Sequence, residues 1–174
     1  SIKSLRLPVQ PRDYQLLALN HALTNHRALL LSPTASGKSL IIYILVRYLK
    51  LKTLILVPTT SLVSQMYNDF REYGWDVANN CHTVFAGRDK GSDLPVVIST
   101  WQSIYKMQQK YFEQYELVIG DEAHGFKSKS LTSIMTKCIN AKYRIGTTGT
   151  LDGTQTHKLV LEGLFGKVYK VTST

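Results

Sequence analysis

Residues 28–39 (ALLLSPTASGKS) join a short apolar run to a polar turn and a helix-length segment. This pattern is typical of a phosphate-binding loop, where backbone N–H groups at a helix N-terminus bind phosphate oxygens. Lys38 would neutralise the β- and γ-phosphates, and the Ser39 hydroxyl would ligate Mg²⁺. Because Ser32 stands where the usual pattern has glycine, a simple Gly-Lys-Ser turn remains an alternative. The other loop residues expected to bind the nucleotide are Thr34, Ala35, Ser36 and Gly37.

Short apolar runs alternate with helix-length stretches along the whole chain. Strands are predicted at residues 28–31, 53–57, 96–99, 117–120 and 143–146, and helices at 38–50, 61–73, 100–110 and 129–140. Continuous apolar strands are buried on both faces, which favours an α/β fold with a parallel sheet and right-handed crossovers. Residues 40–46 (LIIYILV) have strand propensity, but their position after the loop predicts a helix. Residues 86–95 read as a polar loop, and 163–174 as a strand leading onward.

A second motif, residues 117–124 (LVIGDEAH), ends an apolar strand in two acids. In a nucleotide-hydrolysing protein, Asp121 would hold Mg²⁺ through water or Ser39, and Glu122 would polarise the attacking water. An acidic strand end or a helix N-cap is the alternative. If both motifs are genuine, they meet at the carboxyl edge of one parallel sheet.

The order of the motifs resembles that of superfamily 2 helicases. Residues 121–124 (DEAH) are similar to the family's motif II. The other similar segments are residues 12–15 (RDYQ, the adenine-reading segment), 57–65 (VPTTSLVSQ, motif Ia), 99–103 (STWQS, motif Ib) and 148–150 (TGT, motif III, with Gly149 in place of the usual alanine). With the phosphate-binding loop, six segments occur in the family's order, across about residues 8–170.

The resemblance implies roles for individual residues, each with an ordinary alternative. Arg12 and Gln15 would contact adenine, although either can be a surface residue at a helix start. Contacts to nucleic acid would come from Pro58, Thr59, Thr60, Ser99 and Thr100, where N-capping is the alternative. Links between the nucleotide and the nucleic acid would come from His124, Thr148 and Thr150, which can equally form a turn network. Trp101 can stack on a base, but core packing is the stronger expectation.

Composition sets the limits on these interpretations. The net charge of +9 favours a polyanionic partner such as nucleic acid, with a solvated basic surface as the alternative. The apolar run at 40–46 is far shorter than the roughly 20 residues of a membrane helix, and no signal peptide is visible. The two cysteines do not form a metal motif and predict free thiols in the reducing cytoplasm, with no transition metal bound.

Together these features predict one RecA-like domain over residues 1–174, a three-layer α/β/α fold with a mainly parallel sheet. The resemblance implies an ATP-dependent helicase or translocase with ATP and Mg²⁺ as cofactors. It further implies action on branched DNA or RNA–DNA hybrids in recombination and repair, and a second motor domain outside these 174 residues in the same chain. Another P-loop enzyme, such as a small-molecule kinase, and a nucleic-acid-binding module without turnover are the alternatives.

Overall fold

Seven strands form a single parallel sheet in the computed structural model, which describes residues 5, 7–32, 35–151 and 155–172. The strands are β1 (Arg27–Leu31), β2 (Thr53–Val57), β3 (Cys81–Val84), β4 (Val96–Thr100), β5 (Leu117–Asp121), β6 (Tyr143–Thr148) and β7 (Val168–Lys170). Their order across the sheet is β3-β4-β2-β5-β6-β1-β7, and every neighbouring pair is parallel. All carboxyl ends therefore lie along one edge, as the sequence predicted.

Helices cover both faces of the sheet. They are α1 (Asp13–Asn25), α2 (Ala35–Leu49), α3 (Thr60–Glu72), α4 (Trp101–Ile104), α5 (Gln109–Phe112), α6 (Ser128–Lys137) and α7 (Gln155–Phe165). On one face of the sheet, helices α1, α2 and α3 and alternate strand residues such as Ile119 form one buried cluster. On the other face, the four helices from α4 to α7 and the intervening strand residues such as Val118 form a second cluster. These two cores confirm the three-layer α/β/α architecture.

The helix predicted over residues 40–46 is confirmed, since α2 buries that whole stretch against the sheet. The single helix predicted at 100–110 is wrong, because α4 and α5 are separate there. Between them, the Lys137 ammonium donates to the carbonyls of Tyr105 (3.2 Å) and Met107 (2.8 Å). A lysine on another helix thus satisfies carbonyls that a continuous helix would bond internally. The short edge strand β3 also lies outside the predicted strands.

Glycines inside β5 and β6 let α7 approach the sheet closely. A Cβ atom at Gly120 would lie 2.8 Å from Phe165 Cζ, and one at Gly146 would lie 2.8 Å from Phe165 Cδ2 and 2.9 Å from Leu29 Cδ1. The Phe165 ring, which is fully buried, fills the space that side chains at these positions would occupy.

Both cysteines, Cys81 and Cys138, are buried free thiols, and burial raises the pKa of each to about 12. Among the helices that the structure describes, none is long and apolar enough to cross a membrane.

Candidate active site

The two motifs predicted from sequence meet at the carboxyl edge of the sheet. Lys38, in the first turn of α2, forms an ion pair with Glu122 Oε1, and its Nζ lies 3.6 Å from Asp121 Oδ1. The Lys38 side chain is 5% exposed and that of Glu122 is 26% exposed, so the pair lies at the mouth of a largely buried site. A buried lysine paired with carboxylates beside a helix N-terminus can bind phosphate by exchanging those partners.

The backbone at the end of β5 sets the positions of both acids. Glu122 adopts a left-handed conformation (φ 52°, ψ 46°), which is uncommon for a residue with a side chain. Its N–H donates to Asp121 Oδ1 at 2.9 Å, and the Thr147 hydroxyl donates to the same oxygen at 2.6 Å. Two donors, one directly after β5 and one on β6, therefore orient Asp121, while the backbone turn directs Glu122 towards Lys38.

Ser39 and Asp121 have the chemistry to hold Mg²⁺. Both line a small cavity of about 80 Å³, which Lys38 and Glu122 also border. Magnesium prefers oxygen ligands and keeps several waters, so one hydroxyl, one carboxylate and phosphate oxygens suffice. Within the described ranges, no three His, Cys, Asp or Glu side chains are grouped to hold a metal. A metal here would therefore depend on ligand oxygens as well as on the protein.

The residues predicted to contact adenine lie next to the phosphate-binding loop. Arg12 and Gln15 line a cavity of about 410 Å³ that Gly37 and Leu40 also border. The buried Gln15 amide accepts from the Arg12 N–H at 2.8 Å and donates to the Gly37 carbonyl at 3.4 Å, and Arg12 is exposed. Gln15 thus caps α1 and also connects α1 to the loop. Thr34 lies outside the described residues, as do the side chains of Ala35 and Ser36.

A hydrogen-bonded path joins the end of β5 to the end of β6. His124 Nδ1 lies 2.5 Å from the Thr148 hydroxyl oxygen, and His124 Nε2 lies 3.5 Å from Glu122 Oε2. The Thr148 hydroxyl donates to the Thr150 carbonyl at 2.7 Å. A Cβ atom at Gly149 would lie 3.6 Å from the nearest backbone atom, so the alanine usual in motif III would also fit. The structure therefore brings together the three residues predicted to couple the sites.

The predicted nucleic-acid contacts differ in exposure. Thr59 and Thr60 are exposed at the start of α3, where the Thr59 hydroxyl caps the helix by accepting from Leu62 N at 3.2 Å. Pro58 is half-buried, and its carbonyl accepts from Gln102 Nε2 at 2.9 Å. The start of α3 and the exposed face of α4 therefore form one surface.

The remaining predicted contacts lie in the core. Ser99 is fully buried, and its hydroxyl donates to the Thr100 carbonyl at 2.8 Å, so this side chain is unable to reach a phosphate in this conformation. Thr100 is 5% exposed and its hydroxyl lies 2.6 Å from that of Ser103. Trp101 is buried against Phe126, as core packing predicted, rather than available to stack on a base.

Two residues that belong to no motif also lie at the site: Asp69 in the last turn of α3, and Tyr73 directly after that helix. The Tyr73 hydroxyl oxygen lies 2.6 Å from Ser39 Oγ, and Asp69 lines the same small cavity as Ser39. Burial raises the pKa of Asp69, the nearby Ser39 hydroxyl opposes this rise, and the charges of Glu72 and Asp121 add to it. Burial also raises the pKa of Tyr73. Both contacts depend on how α3 packs against α2, which sequence spacing does not show.

Comparison with known proteins agrees with this geometry. Residues 8–153 match the family described as "Type III restriction enzyme, res subunit". The chain belongs to this family. Its resemblance to superfamily 2 helicases is thereby confirmed, together with the RecA-like fold.

Members and structural relatives extend well beyond this domain. The ATP-dependent DNA helicase UvsW of Enterobacteria phage T4 is 34% identical over 95% of this chain and 35% of its own length. The DNA 3'-5' translocase XPB2 of Sulfurisphaera tokodaii is 30% identical over 82% of this chain and 31% of its own length. A crystal structure of the UvsW helicase superimposes with a TM-score of 0.88 and 33% identity, covering 97% of this chain and 64% of that one. The chain thus spans about a third of the curated relatives it matches.

Proposed function

We propose that this chain is the ATP-binding motor domain of an ATP-dependent DNA helicase or translocase. The observation that carries the proposal is the contact of Lys38 with Asp121 and Glu122 at the carboxyl edge of the sheet. The phosphate-binding loop supplies the cation, and motif II supplies the two acids that nucleotide hydrolysis requires. The similarity to UvsW and XPB2, whose names describe a DNA helicase and a DNA translocase, supports this assignment.

ATP would occupy the cavity beside Gln15 and extend its phosphates to the start of α2. Magnesium, held by Ser39 and Asp121, would offset charge on the β- and γ-phosphate oxygens. Lys38 and Glu122 form an ion pair in this conformation, so a γ-phosphate would compete with Glu122 for the lysine. Phosphate binding would thereby release Glu122 to orient the attacking water.

Coupling to nucleic acid would use contacts that begin at the same acids. His124 connects Glu122 to Thr148. A Cβ atom at Gly125 would lie 3.4 Å from Pro58 Cγ, so the turn after motif II passes close to the loop before α3. Thr59 and Thr60 would bind the phosphates of one strand, and the net charge of +9 would favour this contact.

The substrate and a second wall of the ATP cleft are further parts of this proposal. Branched DNA, or an RNA–DNA hybrid, processed in recombination and repair is the substrate that the resemblance of the motifs implies, and the likeness to UvsW, a DNA helicase by name, is consistent with a DNA substrate. A second motor domain of the same polypeptide would supply the opposite wall of the ATP cleft. An arginine from outside a P-loop domain accelerates hydrolysis by about 10³ to 10⁵. Closure of two domains would also exclude water from the phosphates.

A comparison of steady-state ATPase activity tests the proposal. The full-length protein and the 174-residue chain are assayed side by side with and without saturating DNA. The full-length protein should hydrolyse ATP and respond to DNA, and the 174-residue chain should turn over very slowly under both conditions. Comparable turnover per molecule would show that the chain is a complete enzyme. Transfer of phosphate to a small molecule, with no response to DNA, would favour a kinase instead.

A further inference from the structure

Thr147 contacts the acid assigned to magnesium from behind the nucleotide site. It lies on β6 in register with Asp121 on β5, so the two side chains point to the same face of the sheet. Thr147 is 1% exposed, and its hydroxyl donates to Asp121 Oδ1 at 2.6 Å. It is not among the described residues that line the small cavity beside Lys38 and Ser39. Any effect of Thr147 on nucleotide binding therefore passes through Asp121.

The hydrogen bonds of Asp121 distinguish its two oxygen atoms. Oδ1 accepts from the Thr147 hydroxyl and from the Glu122 N–H at 2.9 Å, and Lys38 Nζ lies 3.6 Å from the same atom. Among the described residues, none of the hydrogen bonds or ion pairs uses Oδ2. Asp121 borders the cavity assigned to Mg²⁺, so Oδ2 is the oxygen that it can offer to the metal or to the waters of the metal.

The two donors on Oδ1 limit the rotation of the whole carboxylate. A carboxylate attached to one Cβ atom turns easily about that bond, and a single hydrogen bond leaves part of this freedom. The second donor stands on a neighbouring strand of the buried sheet, so the orientation of Asp121 is set before any ligand binds. Partners that orient a metal-binding carboxylate in this way typically change metal affinity by about 10- to 100-fold.

We propose that Thr147 is a positioning residue that orients Asp121 for magnesium by occupying Oδ1, which leaves Oδ2 for the metal–nucleotide complex. This inference rests on the proposed nucleotide-binding function. It gives two adjacent threonines separate roles, because side chains alternate along a strand and Thr148 contacts His124 instead. A threonine that only satisfied its own buried hydroxyl would not affect magnesium affinity.

Nucleotide binding as a function of magnesium tests the role of Thr147. The dissociation constant of ADP is measured by calorimetry for the full-length protein and for its Thr147→Val variant, over a range of Mg²⁺ concentrations and in EDTA. Thr147→Val should need about 10- to 100-fold more Mg²⁺ for the same tightening of ADP binding, while its affinity for ADP in EDTA stays the same. Thr147→Ser keeps the hydroxyl and should restore the original dependence on Mg²⁺.

Two further variants separate the hydroxyl from other effects of substitution. Thr147→Ala removes the hydroxyl without placing a methyl group against the carboxylate, and it should show the same loss as Thr147→Val. The matched control is Thr53→Val, at the amino end of β2, where a buried residue donates its hydroxyl to the Leu51 carbonyl at 2.8 Å. That control should leave the dependence on Mg²⁺ unchanged.

The remaining outcomes contradict the inference. It is overturned by an unchanged Mg²⁺ dependence without the hydroxyl, by equal weakening in Mg²⁺ and EDTA, or by a serine variant that restores nothing. A loss confined to Thr147→Val also overturns it, because the added methyl group then explains the loss. If the unaltered protein binds no ADP, or binds it equally in Mg²⁺ and EDTA, the proposed function itself fails and the inference with it.

Discussion

Replacing Glu122 by glutamine separates the two roles assigned to this side chain. Glu122→Gln keeps the size of the side chain but removes the charge that pairs with Lys38 and that would orient the attacking water. We expect the variant to retain nucleotide binding and to lose hydrolysis. The affinity for MgATP should therefore rise slightly while the rate of hydrolysis falls.

The exposure of the ion pair sets the magnitude of the binding effect. Glu122 is 26% exposed, and Lys38 has a second carboxylate, Asp121, 3.6 Å away, so loss of the pair with Glu122 is worth about 1 kcal/mol. Removing this competitor should strengthen MgATP binding by at most about fivefold, since 1.4 kcal/mol corresponds to tenfold. A general base contributes about 10²- to 10⁴-fold to a rate, so hydrolysis should fall by that factor.

Single-turnover hydrolysis and equilibrium binding of MgATP, both on the full-length protein, measure these effects. The matched control is Glu116→Gln. Glu116 directly precedes β5, at the end opposite Glu122, and its replacement removes an exposed ion pair with Lys142 (2.8 Å). That control should leave turnover unchanged. If Glu122→Gln lowered binding and hydrolysis by the same factor, Glu122 would be a structural residue or a metal ligand, and its assignment as the base would be refuted.

Three further substitutions test other parts of the structure. Lys38→Ala should reduce ATP turnover about a hundredfold or more, because it removes the phosphate-binding cation. Near-normal turnover in the folded variant would show that this segment is not a phosphate-binding loop. Gln15→Ala should lower the preference for ATP over GTP in paired turnover assays, since base edges would no longer be matched, and an unchanged ratio would remove Gln15 from base recognition. Gly146→Ala should lower the unfolding free energy by about 1–3 kcal/mol in urea titrations, because its Cβ would meet Phe165 at 2.8 Å; an unaltered midpoint would contradict this packing.

Local patterns in the sequence were sufficient to predict the centre of the fold. The apolar runs at β1, β2 and β5 are continuous and end in turn residues or acids. The sequence therefore predicted both the strands and the positions of their carboxyl ends. The split between α4 and α5 was not predictable in this way, because it depends on Lys137 reaching across from α6. Tertiary contacts of that kind leave no periodic pattern in the chain.

Exposure was the other property that residue types did not reveal. Thr59 and Ser99 are both small hydroxyl residues at the carboxyl ends of strands, yet one caps an exposed helix and the other is fully buried. The difference arises from what packs over each strand end. Asp69 and Tyr73 were missed for a related reason, since they meet Ser39 only when α3 packs against α2.

The order of strands in the sheet has a consequence for how the protein folds. β1 leads into the phosphate-binding loop and is made early, but both of its neighbours come from the far end of the sequence. Arg27 pairs with Arg144 in β6, and Leu29 pairs with Val168 in β7. Contacts between distant parts of a chain form slowly, because closing the intervening loop costs entropy. During synthesis, β1 therefore pairs with its neighbours only after nearly the whole domain has left the ribosome. As a result, the phosphate-binding segment is among the last to acquire its native contacts.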